Sequence, residues 1–150
     1  MIGAIIVSLF QKEITLSPGE ILSVDASQLE SVSNPYEREQ INFLIIRVDE
    51  KSEIETQNSL SDEHNVLQNA FEIGSTKGFL GMFDGRQKGE FKTEISKGLF
   101  AFVINGAFEF DDRLLETRDA LSISEAENHD FEALSGNAIL LVIETKLDSR

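Results

Sequence analysis

The stretch Gly98–Ser124 alternates short apolar segments with turn dipeptides, and this rhythm constrains the fold more than any other feature of the chain. Asn105-Gly106 separates the apolar runs Leu99–Ile104 and Ala107–Phe110. Because Asn-Gly readily supplies the two positive φ angles of a type I′ turn, it predicts a β-hairpin. Asp111-Asp112 predicts the next reversal. Short strands joined by tight turns are typical of a small antiparallel barrel or jelly roll.

Strand patterns also dominate the rest of the 150-residue chain. Period-two alternation, as in Phe91–Ile95, predicts a half-buried strand, and a continuous apolar run such as Ala138–Ile143 predicts a strand covered on both faces. The predicted strands are Ile2–Phe10, Glu20–Val24, Ile41–Val48, Ser52–Thr56, Phe79–Phe83, Glu90–Ile95, Leu99–Ile104, Ala107–Phe110, Ala120–Ile123 and Ala138–Glu144. Asp25–Ser31 predicts a short turn capped by Asp25, and Ser61–Ala70 predicts a helix, with a loop as the alternative.

Charge and cysteine content narrow the possible partners. The chain has 13 Lys and Arg against 27 Asp and Glu, a formal net charge of −14. A surface this acidic repels phosphate backbones and anionic lipids, so we expect neither nucleic acid nor a membrane as a direct partner. The chain has no cysteine, which excludes disulfides, thiolate metal sites and a cysteine nucleophile and fits a reducing compartment.

The apolar run Ile2–Phe10 could be taken for a targeting segment. It lacks the basic start and the small-residue cleavage site of a signal peptide, and it is far shorter than the roughly 20 residues that span a bilayer. A buried first strand and a cytoplasmic protein are therefore expected.

Several segments of the second half resemble the C-terminal cupin of the pirin family, whose members are bicupins related to quercetin 2,3-dioxygenases. These segments are Phe83–Arg86, Phe102–Glu109, Leu114–Leu121, Phe131–Ser135 and Ala138–Glu144. The resemblance implies an all-β, cupin-type double-stranded β-helix (an RmlC-like jelly roll) with an incomplete N-terminal β layer. It further implies one cupin-like domain over residues 1–150. In that domain, residues 1–50 are the remnant of a first cupin, 51–70 a linker and 71–147 the C-terminal barrel.

The same resemblance raises the question of a metal site. Pirins carry their metal in the N-terminal cupin, on an early His-x-His pair and a late His-x-Glu pair. With Asn34 and Phe43–Val48 as landmarks, Glu30 stands at the place of the late His and Val32 at the place of the Glu. The early pair has no counterpart, because no histidine precedes His64. The resemblance therefore implies a chain that has lost the family's metal ligands.

The chain contains two histidines, His64 in the acidic linker and His129 in a predicted loop. A mononuclear iron or copper cupin site needs about three imidazoles and a carboxylate around one ion. We therefore expect both histidines to be solvated surface residues. If a site has been rebuilt, Glu30, His64 and His129 are the candidate ligands.

Two arginines of the barrel region, Arg86 and Arg118, flank predicted turns. We expect each to pair with a neighbouring carboxylate such as Asp84 or Asp119. Alternatively, one of them faces the barrel mouth and binds an anionic ligand.

Two functions follow from these observations. The first is a metal-free, pirin-like cupin without cofactor, acting as a binding or regulatory domain with no catalysis of its own. The alternative is a quercetinase-like dioxygenase or another cupin enzyme that uses iron or copper at a rebuilt or shared site. The sequence does not predict a particular small-molecule ligand. We also expect a homodimer or a protein partner, because apolar strands of an incomplete β layer, such as Ile2–Phe10 or Ile41–Val48, need a cover. In the alternative, these strands fold back onto the barrel of their own chain.

Overall fold

The computed structural model describes residues 3–50 and 55–147, and the chain divides into two compact units, residues 1–61 and 62–150. Within the described residues the regular elements are strands and one short 3-10 helix. This confirms the all-β prediction. No helix in this part of the chain is long and apolar enough to cross a membrane.

The first unit contains two small antiparallel sheets. Its strands are β1 (Ile5–Leu9), β2 (Lys12–Leu16), β3 (Glu20–Ser23), β4 (Leu29–Ser33) and β5 (Thr56–Ser59). One sheet has the order β2-β1-β4 and the other pairs β3 with β5. Val7, Leu9 and Leu16 form the buried core of this unit. The predicted turn near Asp25 is a 3-10 helix, Ala26–Gln28, and the Asp25 carboxylate accepts a hydrogen bond from the backbone N–H of Ser27 at 2.8 Å.

This arrangement bears on the two apolar N-terminal strands that were expected to need a cover. The apolar strand predicted at Ile2–Phe10 is β1, which lies in the middle of its sheet and is paired on both edges. The strand predicted at Ile41–Val48 is wrong as a sheet strand, because no described strand pairs with these residues. Strand propensity alone does not form a strand when the structure offers no neighbouring backbone to bond.

The second unit is a barrel of nine strands in two antiparallel sheets. The strands are β6 (Gln68–Ile73), β7 (Thr76–Phe83), β8 (Lys88–Lys92), β9 (Lys97–Asn105), β10 (Ala107–Phe110), β11 (Arg113–Glu116), β12 (Ala120–Ile123), β13 (Asn128–Ala133) and β14 (Ala138–Lys146). One sheet has the order β12-β9-β14-β7-β6 and the other β11-β10-β13-β8. From β7 to β14, successive strands alternate between the sheets, with the β10–β11 hairpin as the exception, as in a jelly roll.

The two ends of the barrel are distinguished by their loops. We call the end that carries Gly106 and the loops after β7, β11 and β13 the Gly106 end. The opposite end, which carries the loops after β8, β10 and β12, is the Asp111 end. Most inward-facing positions between the two ends are apolar and buried. Phe83, Phe108, Leu140, Val142 and Val103 are all at most 1% exposed.

The Asn105-Gly106 hairpin prediction is wrong. β9 and β10 belong to different sheets, so this dipeptide is a corner where the chain passes from one sheet to the other. Gly106 has a φ of +83°, while Asn105 is not in the left-handed region, so the type I′ geometry is absent. Glycine is required for a second reason, because a Cβ there would collide with the Ser135 hydroxyl.

The tight hairpin is instead the reversal predicted at Asp111-Asp112. These residues join β10 to β11 with φ angles of +47° and +59°, and Phe110 pairs with Arg113 across the turn. Aspartate tolerates the left-handed region better than most residues with a Cβ, so the dipeptide meets the demand of a two-residue hairpin.

The helix predicted at Ser61–Ala70 is wrong, and the alternative, a loop, is correct for residues 61–67. Its last residues, Gln68–Ala70, begin strand β6, which pairs with β7 through the turn at Gly74. Ala70 and Phe71 are buried in this strand. Sheet pairing with the adjacent β7 therefore overrides a weak helical pattern.

Strands β5 and β6 both have residues inside the stretch 51–70 that we interpreted as a linker. Residues 51–54, including the start of the strand predicted at Ser52–Thr56, lie outside the described residues. The division into a first-cupin remnant, a linker and a barrel stays a prediction.

A test of the barrel packing is the substitution Gly89→Ala. A Cβ at Gly89 would overlap the ring of Phe131, which is itself in the core. Overpacking of this kind lowers the free energy of unfolding by about 1–3 kcal/mol. Gly136→Ala is the matched control, because nothing lies within 4 Å of its Cβ position. Urea denaturation of both variants measures the difference, and equal stabilities would contradict the packing described.

Candidate functional site

An open groove of about 740 Å³ lies on the outer face of the four-stranded sheet. It forms where outward-facing side chains of β8, β10 and β13 meet the hairpin turn at the Asp111 end. The lining residues are Lys88, Gly89, Glu90, Glu109, Asp111, Asp112, Asp130, Phe131 and Glu132. Because strand side chains alternate between faces, the same three strands present aromatic residues inward and carboxylates outward.

Carboxylates in this groove lie directly opposite one another. Glu109 pairs with Glu132 across β10 and β13, and Asp130 pairs with Glu90 across β13 and β8. Like charges at such positions repel. Two cations offset the charge of Glu132: Arg86 and Lys88 each lie 3.4 Å from one of its carboxylate oxygens. The groove is therefore strongly negative, with a cationic rim at its Gly106 end.

His129 lies beneath this groove, on the inward face of β13. Its side chain is 0% exposed, and Nδ1 is 2.7 Å from Oδ2 of Asp111. Since a carboxylate only accepts hydrogen bonds, this contact requires the proton on Nδ1. The other ring nitrogen, Nε2, is buried and has no hydrogen-bond partner among the described residues.

The expectation that both histidines are solvated is therefore wrong for His129, and its predicted loop is strand β13. The pattern that identifies it is present in the sequence. In Asn128–Ala133, polar residues alternate with His129, Phe131 and Ala133, and these three share the buried face. Period-two alternation would have predicted the strand if His129 had been counted as a buried residue.

Asp111 holds the hairpin turn against β13. Its Oδ1 accepts the backbone N–H of Asp130 at 3.1 Å, while Oδ2 receives the His129 hydrogen bond. The backbone N–H of Asp111 in turn donates to the Asp130 carbonyl at 3.0 Å. One carboxylate thus connects the groove lining to a buried ring.

A buried carboxylate, Glu144, lies at the same end of the barrel as Asp111 and was not predicted. Its side chain is 8% exposed and accepts hydrogen bonds from Lys97 Nζ, at 2.8 Å, and from the Thr93 hydroxyl. Burial opposes its ionisation, but these two hydrogen bonds, with the charges of Lys97 and Lys77, outweigh burial and hold the pKa of Glu144 below its ordinary value. The hydrogen bond to Glu144 also raises the pKa of Lys97.

His64 is at the opposite end of the barrel and is partly exposed. Its Nδ1 lies 3.2 Å from Oδ1 of Asp84, and Asn65 donates to the other oxygen at 3.0 Å. The hydrogen bond from Asn65, followed by that from His64, lowers the pKa of Asp84. The surface expectation is correct for this histidine.

The arginines predicted as ligand contacts flank turns, and both have positive φ angles, +70° for Arg86 and +76° for Arg118. Arg86 pairs with Glu132, so the expected pairing with Asp84 is wrong. The Asp119 carboxylate accepts the backbone N–H of Glu116, and Arg118 donates its own backbone N–H to the Val103 carbonyl. The role of either arginine in binding an anionic ligand stays a prediction.

The three candidate metal ligands occupy separate places. Glu30 is an exposed residue of β4 in the first unit. His64 lies at the Gly106 end of the barrel and His129 at the Asp111 end, each beside its own aspartate. In the described part of the chain no three His, Cys, Asp or Glu side chains are grouped so that they could hold a metal ion. Within the barrel, His64 and His129 therefore do not converge on one ion as the ligands of a cupin iron or copper site do.

Comparison with known proteins identifies the class of fold. The crystal structure of YhhW from Escherichia coli matches with a TM-score of 0.76 at 13% identity, over 99% of this chain and 70% of YhhW. A second structure, the bacterial pirin YhhW in complex with nickel(II), matches with a TM-score of 0.73 at 12% identity, over 97% of this chain and 69% of YhhW. The fold is therefore that of the cupin jelly rolls.

The family assignment comes from the sequence of the barrel. Residues 74–144 match the family model described as the quercetinase C-terminal cupin domain. This match confirms the resemblance to the C-terminal cupin of the pirin family that the sequence motifs of this part of the chain predicted. No curated protein sequence matches the chain at a significant level.

The two hydrogen bonds of the Asp111 carboxylate, to Asp130 and His129, can be tested with Asp111→Ala. The substitution leaves the Asp130 N–H and the buried His129 ring without their shared acceptor, which lowers the free energy of unfolding by about 1–3 kcal/mol. Asp112→Ala is the control, because Asp112 also has a positive φ and lines the groove but makes no side-chain hydrogen bond that the structure describes. Chemical denaturation measures the free energy of unfolding of both variants. Equal losses would show that the change of a turn residue, rather than the loss of the Asp111 hydrogen bonds, causes the destabilisation.

The buried ion pair predicts a pH-dependent stability. Since the folded state lowers the pKa of Glu144, its contribution is complete above the ordinary pKa of 4.5 and is lost as pH falls through the lower folded value. Glu144→Gln should destabilise the protein by about 1–3 kcal/mol at pH 7, with a smaller difference from wild type at pH 3. Urea unfolding at both pH values measures this difference.

The control for this experiment is Glu94→Gln. Glu94 also lies 3.5 Å from Lys97 Nζ, but its side chain is 73% exposed. An exposed pair contributes about 0–1 kcal/mol. If both variants lose equal stability at pH 7, the buried position of Glu144 is not the source of its effect.

Proposed function

We propose that this protein is a pirin-like cupin that works as a binding or regulatory interaction domain, without a metal and without catalysis of its own. The observation that carries the proposal is the interior of the barrel. Phe83, Phe108, Phe110 and Phe131 fill it from both sheets, and each is at most 4% exposed.

These rings pack against one another, so the barrel interior is occupied by side chains of the protein. Phe83 meets Phe131 edge to face with ring centroids 5.2 Å apart, and Phe108 meets Phe83 at 5.8 Å. Phe110 stacks on Phe131 at 5.9 Å. Small-molecule sites are concave spaces with a few convergent polar groups. Because these aromatic rings interlock and fill the barrel, they leave no such space for a substrate in the interior.

The chemistry of the histidines also supports a metal-independent role. The two imidazoles are at opposite ends of the barrel, and each is engaged with a carboxylate. The alternative, a quercetinase-like dioxygenase that uses iron or copper through Glu30, His64 or His129, requires ligands that converge. The nickel in the YhhW complex is a property of that protein.

The charge of the surface favours a protein partner over nucleic acid. The formal net charge is −14, and the outward face of β8, β10 and β13 is lined with carboxylates. Phosphate backbones are repelled by such a surface. We place the protein in the cytoplasm, where the absence of cysteine is unremarkable.

Metal content tests this function directly. Untagged protein is expressed with added iron, copper, nickel and manganese and analysed by plasma mass spectrometry, then assayed for turnover of quercetin. We expect less than about a tenth of an equivalent of any metal and no turnover above the protein-free rate, because a mononuclear site needs several converging ligands. A quercetinase prepared in parallel controls for metal loading.

Near-stoichiometric iron or copper with metal-dependent turnover would overturn the proposal. His64→Gln would then show whether the exposed histidine is a ligand of the rebuilt site, since its loss leaves the core unchanged.

A further inference from the structure

Asn105-Gly106 is the only Asn-Gly dipeptide of the chain. Asparagine is one of the chemically labile residues, and a following glycine makes it most labile, because a residue without a Cβ leaves its backbone nitrogen unshielded. The Gly106 nitrogen attacks the side-chain amide carbon of Asn105, and the new C–N bond closes a succinimide ring. The proton of this nitrogen leaves with the amide group as ammonia. Water then opens the ring and yields aspartate or isoaspartate.

This dipeptide lies at the corner where strand β9 ends and strand β10 begins in the other sheet. Asn105 pairs with Ile139 of β14 on one side of the corner, and Ala107 pairs with Glu116 of β11 on the other. Isoaspartate continues the chain through its side-chain carbon, so it adds one methylene to the backbone. Because side-chain direction depends on strand register, an added backbone atom at this point displaces one strand against its partners.

Both reacting groups of the dipeptide are held by hydrogen bonds. The backbone N–H of Gly106 donates to the Thr117 hydroxyl oxygen at 2.9 Å, and the same hydroxyl donates to the Gly106 carbonyl at 3.0 Å. The side-chain amide of Asn105 donates to the Asn137 carbonyl at 3.0 Å. Asn105 is also the last residue of β9, and ring closure requires its backbone and side chain to rotate out of the extended conformation. These contacts therefore oppose the attack.

We propose that Asn105 is a site of spontaneous isoaspartate formation that the folded corner keeps closed, with the Thr117 hydroxyl as the group that restrains the attacking nitrogen. The reaction proceeds when the corner opens and these hydrogen bonds break. Such openings are local, and they occur more readily at the ends of strands than in a packed core. The chemical lifetime of the corner is then set by its hydrogen bonds, whether or not the barrel binds a metal.

The native rate of this reaction can be compared with the rate in the unfolded chain. The intact protein is incubated at neutral pH, with and without guanidinium chloride, and peptide mapping by mass spectrometry follows the conversion of Asn105 to aspartate and isoaspartate. Rupture of about two hydrogen bonds before the attack predicts a native rate roughly thirtyfold below that of the unfolded chain. Equal rates would overturn the proposal.

Removal of the Thr117 hydroxyl tests its role. Thr117→Val keeps the branched shape of the side chain but leaves the Gly106 N–H without its acceptor, so the native rate should rise by roughly tenfold. Thr117→Ser retains a hydroxyl and should react at the wild-type rate. Thr145→Val is the matched control: it removes a hydroxyl that is hydrogen-bonded to Thr76 at 2.8 Å, at the opposite end of the barrel, and should leave the rate at Asn105 unchanged.

The free energy of unfolding of each variant separates a local effect from a global one. If Thr117→Val and Thr145→Val lose similar stability and only Thr117→Val reacts faster, the corner is the source of the protection. An unchanged or slower reaction in Thr117→Val would overturn the role of Thr117, and so would equal acceleration in Thr145→Val or in Thr117→Ser. The comparison of native and unfolded wild type needs no variant, so it tests the closed corner even if Thr117→Val does not fold.

Discussion

The packing of phenylalanine rings inside the barrel is the constraint on which the rest of this structure depends. Rings from both sheets meet edge to face and stacked around Phe131. A glycine makes room for this cluster: a Cβ at Gly89 would overlap the ring of Phe131. Dense interiors tolerate little change of volume. The fold is therefore secured by shape complementarity between apolar side chains, and polar chemistry is left to the barrel's outer face and its ends.

The polar residues His129 and Glu144 enter the interior at the Asp111 end, and each makes at least one hydrogen bond to a side chain there. Glu144 is held by Lys97 and Thr93, and His129 by Asp111. A buried polar group without such a partner would be costly. The arrangement explains why histidines and carboxylates of this barrel do not form a common site: each is already used to satisfy a local requirement of the fold.

The sequence was sufficient for the fold class, for most barrel strands and for the family of residues 74–144. It was insufficient where a local pattern competed with sheet topology. Asn105-Gly106 has the composition of a hairpin, but the strands beside it pair with β14 and β13 in different sheets. The pairing of distant strands decides such cases, and a dipeptide carries no information about it. His129 and Glu144 were missed for a related reason: polar residues at inward positions are recognised only once their partners are known.

The two units differ in how much of their sequence is fixed by packing. Among the described residues, thirteen form the buried apolar core of the barrel and three form that of the first unit. Where few side chains interlock, few substitutions create a cavity or a clash. Over evolutionary time the first unit is thus free to change its surface residues while the barrel is held to its own. A new binding specificity can therefore arise in the first unit without a redesign of the barrel core.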